Sequence, residues 1–164
     1  MTKKIPITFF APAEREPVEV VRRQADHLRQ VPLAQTILNA ALDYLFVLNK
    51  RRQIVMASEN VLELVPGKGL DQVIGLRPGE ALGCIHAYDC ESGCGTSQVC
   101  RHCGAVRVIL AGLAGQRHMQ ECHLTCLVNG RQASLELRVL ATPLVHDNER
   151  YTLLAVEKVR YRQQ

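Results

Sequence analysis

Apolar residues recur at helical spacing near the start of the chain. Val18, Val21, Ala25, Leu28 and Val31 share one face, with charged residues on the other, and Pro17 suits a first helical turn. This predicts an amphipathic helix over residues 17–31. Pro32 predicts the start of a second helix that runs through Ala41. The pattern then becomes strand-like. Tyr44 to Leu48 reads as a strand, residues 49–52 as a polar turn, and Gln53 to Ala57 as the returning strand. Ser58 is placed to cap a short helix over residues 59–65, which Pro66-Gly67 ends. Pro78 opens another short helix that leads into Gly83-Cys84. A helical stripe returns as Val106, Ile109, Leu110 and Leu113, and Gly115 stops it. Three strand-like runs close the chain: 116–128, 131–141 and 150–159. Asn129-Gly130 is a strong hairpin signal, and Asp147-Asn148 suits the second turn.

This order predicts an α+β domain. Both halves supply strands to one five-stranded antiparallel sheet, with helices covering one face and an extra helix at the N-terminus. Residues 1–16, with Pro6 and Pro12, read as a flexible arm. Residues 32–160 form the main body. The stripe on the 17–31 helix is expected to be left partly uncovered by that body, and a second copy would bury it, giving a homodimer.

With 164 residues, 47% of them hydrophobic, the chain can build a core without covalent help. The net charge of +4 comes from scattered basic residues, and aromatics are few, so these read as solvated faces and not as a nucleic-acid surface. Ile5 to Ala11 is too short, and too interrupted by Pro6, for a secretory signal. Val106 to Ala114 is too short to span a bilayer. The expected location is the cytosol, where clustered thiols serve metal or redox chemistry.

Five of the seven cysteines fall between Gly83 and Gly104, at 84, 90, 94, 100 and 103. The odd total excludes a complete set of internal disulfides. Cys100-x2-Cys103 sits where a helix begins, and unpaired N–H groups there favour thiolates. With Cys94 and Cys84 it makes four thiolates, the number an iron–sulfur cluster needs, and also a zinc site. The iron–sulfur cluster is the favoured reading. Zinc, a metal-free thiol/disulfide switch and simple packing of reduced cysteines are the alternatives. Cys122 shares a strand face with Leu124 and Cys126 and is a fifth candidate cofactor ligand. Cys126 reads as packed and Cys90 as a bystander. His86 is a possible substitute ligand, whereas His27, His118, His123 and His146 read as surface residues. No catalytic constellation is visible: there is no nucleophile elbow, phosphate-cradling loop or kinase signature, so no enzyme activity is expected.

The element order resembles the PAS domain, a sensory module of bacterial signalling proteins, over about Pro32 to Val159. The segments LDYLFVLNKRRQIVMASENVLEL and ATPLVHDNERYTLLAVEKV carry the likeness. GLRPGEALGCIHA and GCGTSQVCRHCGAVRVIL look like a cysteine-bearing subgroup found on sensor histidine kinases. The resemblance implies a ligand between the inner sheet face and the long helix, and a sensor of oxygen or redox state. It also implies a signalling partner such as a histidine kinase. Closing at Gln164 without an output domain, the sequence is expected to signal in trans or to be a fragment of a larger sensor. The flavin-adduct motif is not matched, since His102-Cys103 follows Cys100-Arg101. Nor is covalent haem attachment, since Gly104 follows the CxxC.

Overall fold

Both predicted two-residue turns form, and they set the register of the sheet. Asn129 and Gly130 adopt φ values of 51° and 77°, and Asp147 and Asn148 adopt 47° and 61°. Two-residue hairpin loops use these left-handed conformations because they match the twist of the flanking strands. The strands so joined are β3 (His118–Val128), β4 (Arg131–His146) and β5 (Glu149–Lys158). In the other half, β1 (Tyr44–Leu48) pairs with β2 (Ile54–Ala57). Pairing of β1 with β5 fuses the halves into one antiparallel sheet of order β2-β1-β5-β4-β3. The computed structural model describes residues 7–65 and 67–159. Pro66, expected to end a short helix, and residues 1–6 lie outside them.

The two faces of the sheet are covered differently. Phe46, Leu48, Ile54, Leu137, Val139, Leu154 and Val156 form the inner face, beneath Val108 and Ile109 of α5 (Gly104–Leu113). Val47, Val55, Met56 and Tyr151 project outward and meet α1 (Val18–Arg29) through Val21 and Leu28, and α2 (Ala34–Ala40) through Leu38. Helices therefore cover parts of both faces, where one covered face was expected. Val21, Ala25 and Leu28 of the α1 stripe are all buried within the single chain. Each large aliphatic side chain so buried contributes about 1.5–3 kcal/mol, so α1 is docked on its own sheet. Only Val18, at its start, stays exposed. The premise that a second copy must cover this stripe is thereby removed.

Three local expectations are corrected. The second helix begins at Ala34, not Pro32, because Leu33 takes a left-handed φ of 66°. Residues 59–63 form a 3-10 turn that Ser58 does not cap. Its Oγ instead accepts the N–H of Leu45 at 2.9 Å. Residues 7–16 lack regular secondary structure, as their prolines imply, yet they are strapped down. Ala11 and Ala13 are buried, and the N–H groups of Phe9 and Ala11 donate to the carbonyls of Thr96 and Gly95 at 2.9 and 3.0 Å.

Candidate cysteine-lined centre

The cysteine segment leaves α4 (Pro78–Leu82) at Gly83 and is stitched at once to the sheet. The N–H of Leu127 donates to the Gly83 carbonyl at 2.9 Å, and the backbone of Cys84, a free thiol like Cys126, makes an isolated antiparallel β-bridge with Cys126 on the free edge of β3. Gly83 has φ 75°, and a Cβ there would lie 2.8 Å from the Leu127 carbonyl oxygen, so only glycine fits this crossing. The segment continues through 3-10 turns at Ile85–Tyr88 and Gln98–His102. It ends with Cys103 at the N-cap position of α5, so the helix starts after the CxxC, not within it.

Four of the five candidate cysteines line a single cavity of about 190 Å³: Cys84, Cys94, Cys100 and Cys103. Phe46, Ile109, Leu137, Val139 and Leu154 give it an apolar wall, and His86, His102 and His123 also line it. Backbone N–H groups face each of these four sulfurs. His86 and Ala87 supply them to Cys84, Gly79 to Cys94, Ser97 and Gly95 to Cys100, and Val106 and Ala105 to Cys103. Such donors stabilise thiolate charge. Cys90 differs, since its thiol donates to the Thr96 carbonyl at 3.8 Å. Cys126, fully buried, stands among apolar neighbours.

Charge at the site is set by competing effects. Burial pushes the Cys94 thiol up to about 12 and also raises Cys84 and Cys100. Cys103 runs the other way. Its Sγ lies 3.9 Å from that of Cys122, whose thiol hydrogen bond lowers Cys103, and the N–H groups at the start of α5 add to this. Cys122 is raised correspondingly by the same hydrogen bond and by burial. Cys122 thus meets Cys103 but is not among the residues that line the cavity. Cys103–Cys122 is a close thiol pair, whereas the other sulfurs ring the space. Among the described residues no three cysteine sulfurs lie within 4.8 Å of one another.

No local pattern in the sequence marks the cationic side of this site. Arg77 is fully buried, and Arg52 is 3% exposed. Arg52 donates to the Cys94 carbonyl at 3.2 Å, and its charge acts on both Cys94 and Cys100. Arg15 pairs with Glu80, which also accepts the N–H groups of Arg77 and Cys94 at 3.1 and 3.0 Å. Burial alone would raise Glu80, but these partners outweigh it and hold the carboxyl below its usual range. Three arginines against one carboxylate leave a cationic excess beside the thiols. Buried charge demands compensation, and the backbone carbonyls that accept from Arg52 and Arg77 supply part of it.

Gly104 fixes how α5 enters this site. A Cβ there would lie 2.4 Å from the Glu121 carbonyl oxygen and 3.4 Å from the Cys122 Cβ. Gly104→Val is therefore expected to lift the first turn of α5 from β3 and cost about 1–3 kcal/mol. Chemical denaturation measures the loss, and slower oxidative coupling of Cys103 to Cys122 reports the displacement.

No family model matches the chain, and no curated protein sequence matches it. Solved structures do. A PAS domain from a two-component sensor histidine kinase aligns with a TM-score of 0.54 at 8% identity, covering 80% of this chain and 97% of that one. The PAS domain of nitrogen regulation protein NR(II) from Vibrio parahaemolyticus gives 0.52 at 18% identity, covering 79% and 100%. A PAS domain from Colwellia psychrerythraea gives 0.53 at 12% identity, covering 76% and 92%. Identities this low speak for the fold alone, and the fold is PAS-like: a five-stranded antiparallel sheet with α5 across its inner face. None of the helices among the described residues is long and apolar enough to cross a membrane.

Proposed function

We propose that this chain is a sensory domain that responds to oxygen or redox state through a cysteine-held centre and signals to a partner protein. One observation carries the reading: Cys84, Cys94, Cys100 and Cys103 line the same cavity, each sulfur facing backbone N–H donors. These four residues would hold an iron–sulfur cluster, with Cys122 behind Cys103. When bound, such a cluster supplies one-electron redox chemistry tuned by hydrogen bonds to the sulfurs and by burial. The chain's own residues do the rest. Arg52 and Arg77 offset the charge of the thiolates, and the apolar wall keeps water away. α5 links the sulfurs mechanically to the sheet.

A partner in trans, such as a histidine kinase or another output protein, fits a domain of this fold. Homodimerisation through α1 is a separate expectation, and the burial of Val21, Ala25 and Leu28 within the chain withdraws the ground given for it. The 3.9 Å approach of Cys103 and Cys122 supports a second reading, a thiol/disulfide switch in which an oxidant accepts two electrons and the two thiol protons are released.

Protein purified under nitrogen separates these readings. Iron and acid-labile sulfide in about equal amounts, with visible absorbance that oxygen bleaches, is the expected result. One zinc per chain, or no metal and a titratable Cys103–Cys122 disulfide, would replace it with one of the alternatives.

A further inference from the structure

The sequence leaves His27 and His146 as surface residues, but the fold brings them together on one carboxylate. His27 is in the last turn of α1, and Asp147 occupies the two-residue turn between β4 and β5. Nε2 of His27 hydrogen-bonds Oδ2 of Asp147, and Nε2 of His146 lies 3.7 Å from the same oxygen. The two imidazole rings stand 5.1 Å apart. One ligand atom from each residue lies within 4.8 Å of the other two, and among the described residues this is the only such group of metal-ligating side chains.

We propose that His27, His146 and Asp147 bind a divalent first-row transition ion of the zinc, cobalt or nickel class. Two imidazoles and one carboxylate suit these ions and are a poor set for calcium or magnesium, which take oxygen ligands. Metal–ligand bonds of about 2.0–2.2 Å bring such ligand atoms about 3.3 Å apart. The present spacing needs only small side-chain rotations to close. All three side chains are partly open to solvent, so water completes the coordination. The frame is already held. One turn earlier on α1, Arg23 and Gln24 grip Glu149 of the same hairpin at 2.8 and 2.9 Å. That grip fixes the distance between helix and turn and keeps Glu149 engaged elsewhere. A bound ion pins the C-terminal turn of α1 to the β4–β5 turn, on the outer side of the sheet from the cysteines.

The probe is Ni2+ added to the full chain as purified under nitrogen, followed by amide NMR. Expected is saturable broadening, at about one ion per chain, centred on residues 26–29 and 146–149. His27→Asn and His146→Asn are each expected to weaken this by about tenfold or more, at least the loss typical of an outer-shell change at a metal site. Asp147→Asn should weaken it too while keeping the turn, since asparagine tolerates the left-handed conformation. Circular dichroism melts in chelator, unchanged among the variants, would show that the fold is intact. Broadening confined to the cysteine segment, binding that survives His27→Asn with His146→Asn, or no saturation below millimolar Ni2+ would each overturn the proposal.

Discussion

Replacing Arg77 with Met is expected to cost about 3–5 kcal/mol, a large share of the 5–15 kcal/mol that holds an ordinary domain together. The reason lies in what its guanidinium reaches. Nε donates to the Arg51 carbonyl at 3.0 Å and Nη1 to the Ser92 carbonyl at 3.0 Å. Nη2 donates to the Glu14 and Ala13 carbonyls at 2.8 and 3.3 Å. One side chain thus ties the β1–β2 turn, the cysteine segment and the N-terminal strap. Burial, with Arg52 and Arg15 nearby, lowers Arg77 to about 9, so it is still charged at neutral pH. Met fills much of the volume but leaves buried carbonyls without donors, and each such group costs about 1–3 kcal/mol. Arg77→Lys keeps the charge and loses the fork, so it should restore only part of the stability. Guanidinium denaturation of the full chain gives the magnitude. Limited proteolysis should cut residues 7–16 and 85–99 of the Met variant well before the sheet. A loss below about 1 kcal/mol would mean that water satisfies these carbonyls and that Arg77 is not the tie.

The strands were legible because their signals are local. Asn129-Gly130 dictates its turn without help from the rest of the chain, and Leu137 and Val139 alternate with polar neighbours as a half-buried strand must. The outer layer was also written in the sequence, in a less direct form. YLFVL of β1 and IVMA of β2 are continuous apolar runs, with no polar alternation. Strands of that kind are buried on both faces, so a second cover was required, and the α1 stripe was the free candidate. Treated separately, the stripe pointed to a dimer. The start of α2 was not legible, because nothing local marks Leu33 for a left-handed backbone.

At the site, cysteine density identified which residues gather, and the fold places four of the candidate five around one cavity. Cys122 joins through Cys103 alone. The arginines escaped notice for a physical reason. Arg52 follows Lys50-Arg51 in a hairpin turn, a context in which basic residues are normally solvated. Its burial depends on the Cys94 carbonyl, 42 positions away. Arg77 likewise takes its partners from three separate segments, and no local pattern announces that.

Cys103→Ser should abolish the response to oxidant while leaving the sheet intact. Cys103 occupies the N-cap position of α5; Val108 and Ile109 of that helix are buried with the sheet's inner face, and Val106 with Ala11 and Cys100. A change in charge at Cys103 acts on the first turn of α5, where N–H groups face its sulfur, and the packed helix transmits it to β3 and β4. Serine keeps the shape but is a poor metal ligand, so bound metal should fall about tenfold or more, with Cys100→Ser behaving alike. Metal-free wild type and variant should differ in stability by about 1 kcal/mol or less, since serine replaces one small side chain without opening a large cavity. Hydrogen exchange of the α5 amides provides the readout: oxidant should change it in the wild type and not in Cys103→Ser. Cys90→Ser, whose sulfur faces a carbonyl, should keep both metal and response. Cys122→Ser separates the two sensing readings, because a cysteine-held cluster should survive it and a Cys103–Cys122 switch should not. If Cys103→Ser retains full metal and a full change in α5 exchange, neither sensing reading stands, and the cysteines are packing residues.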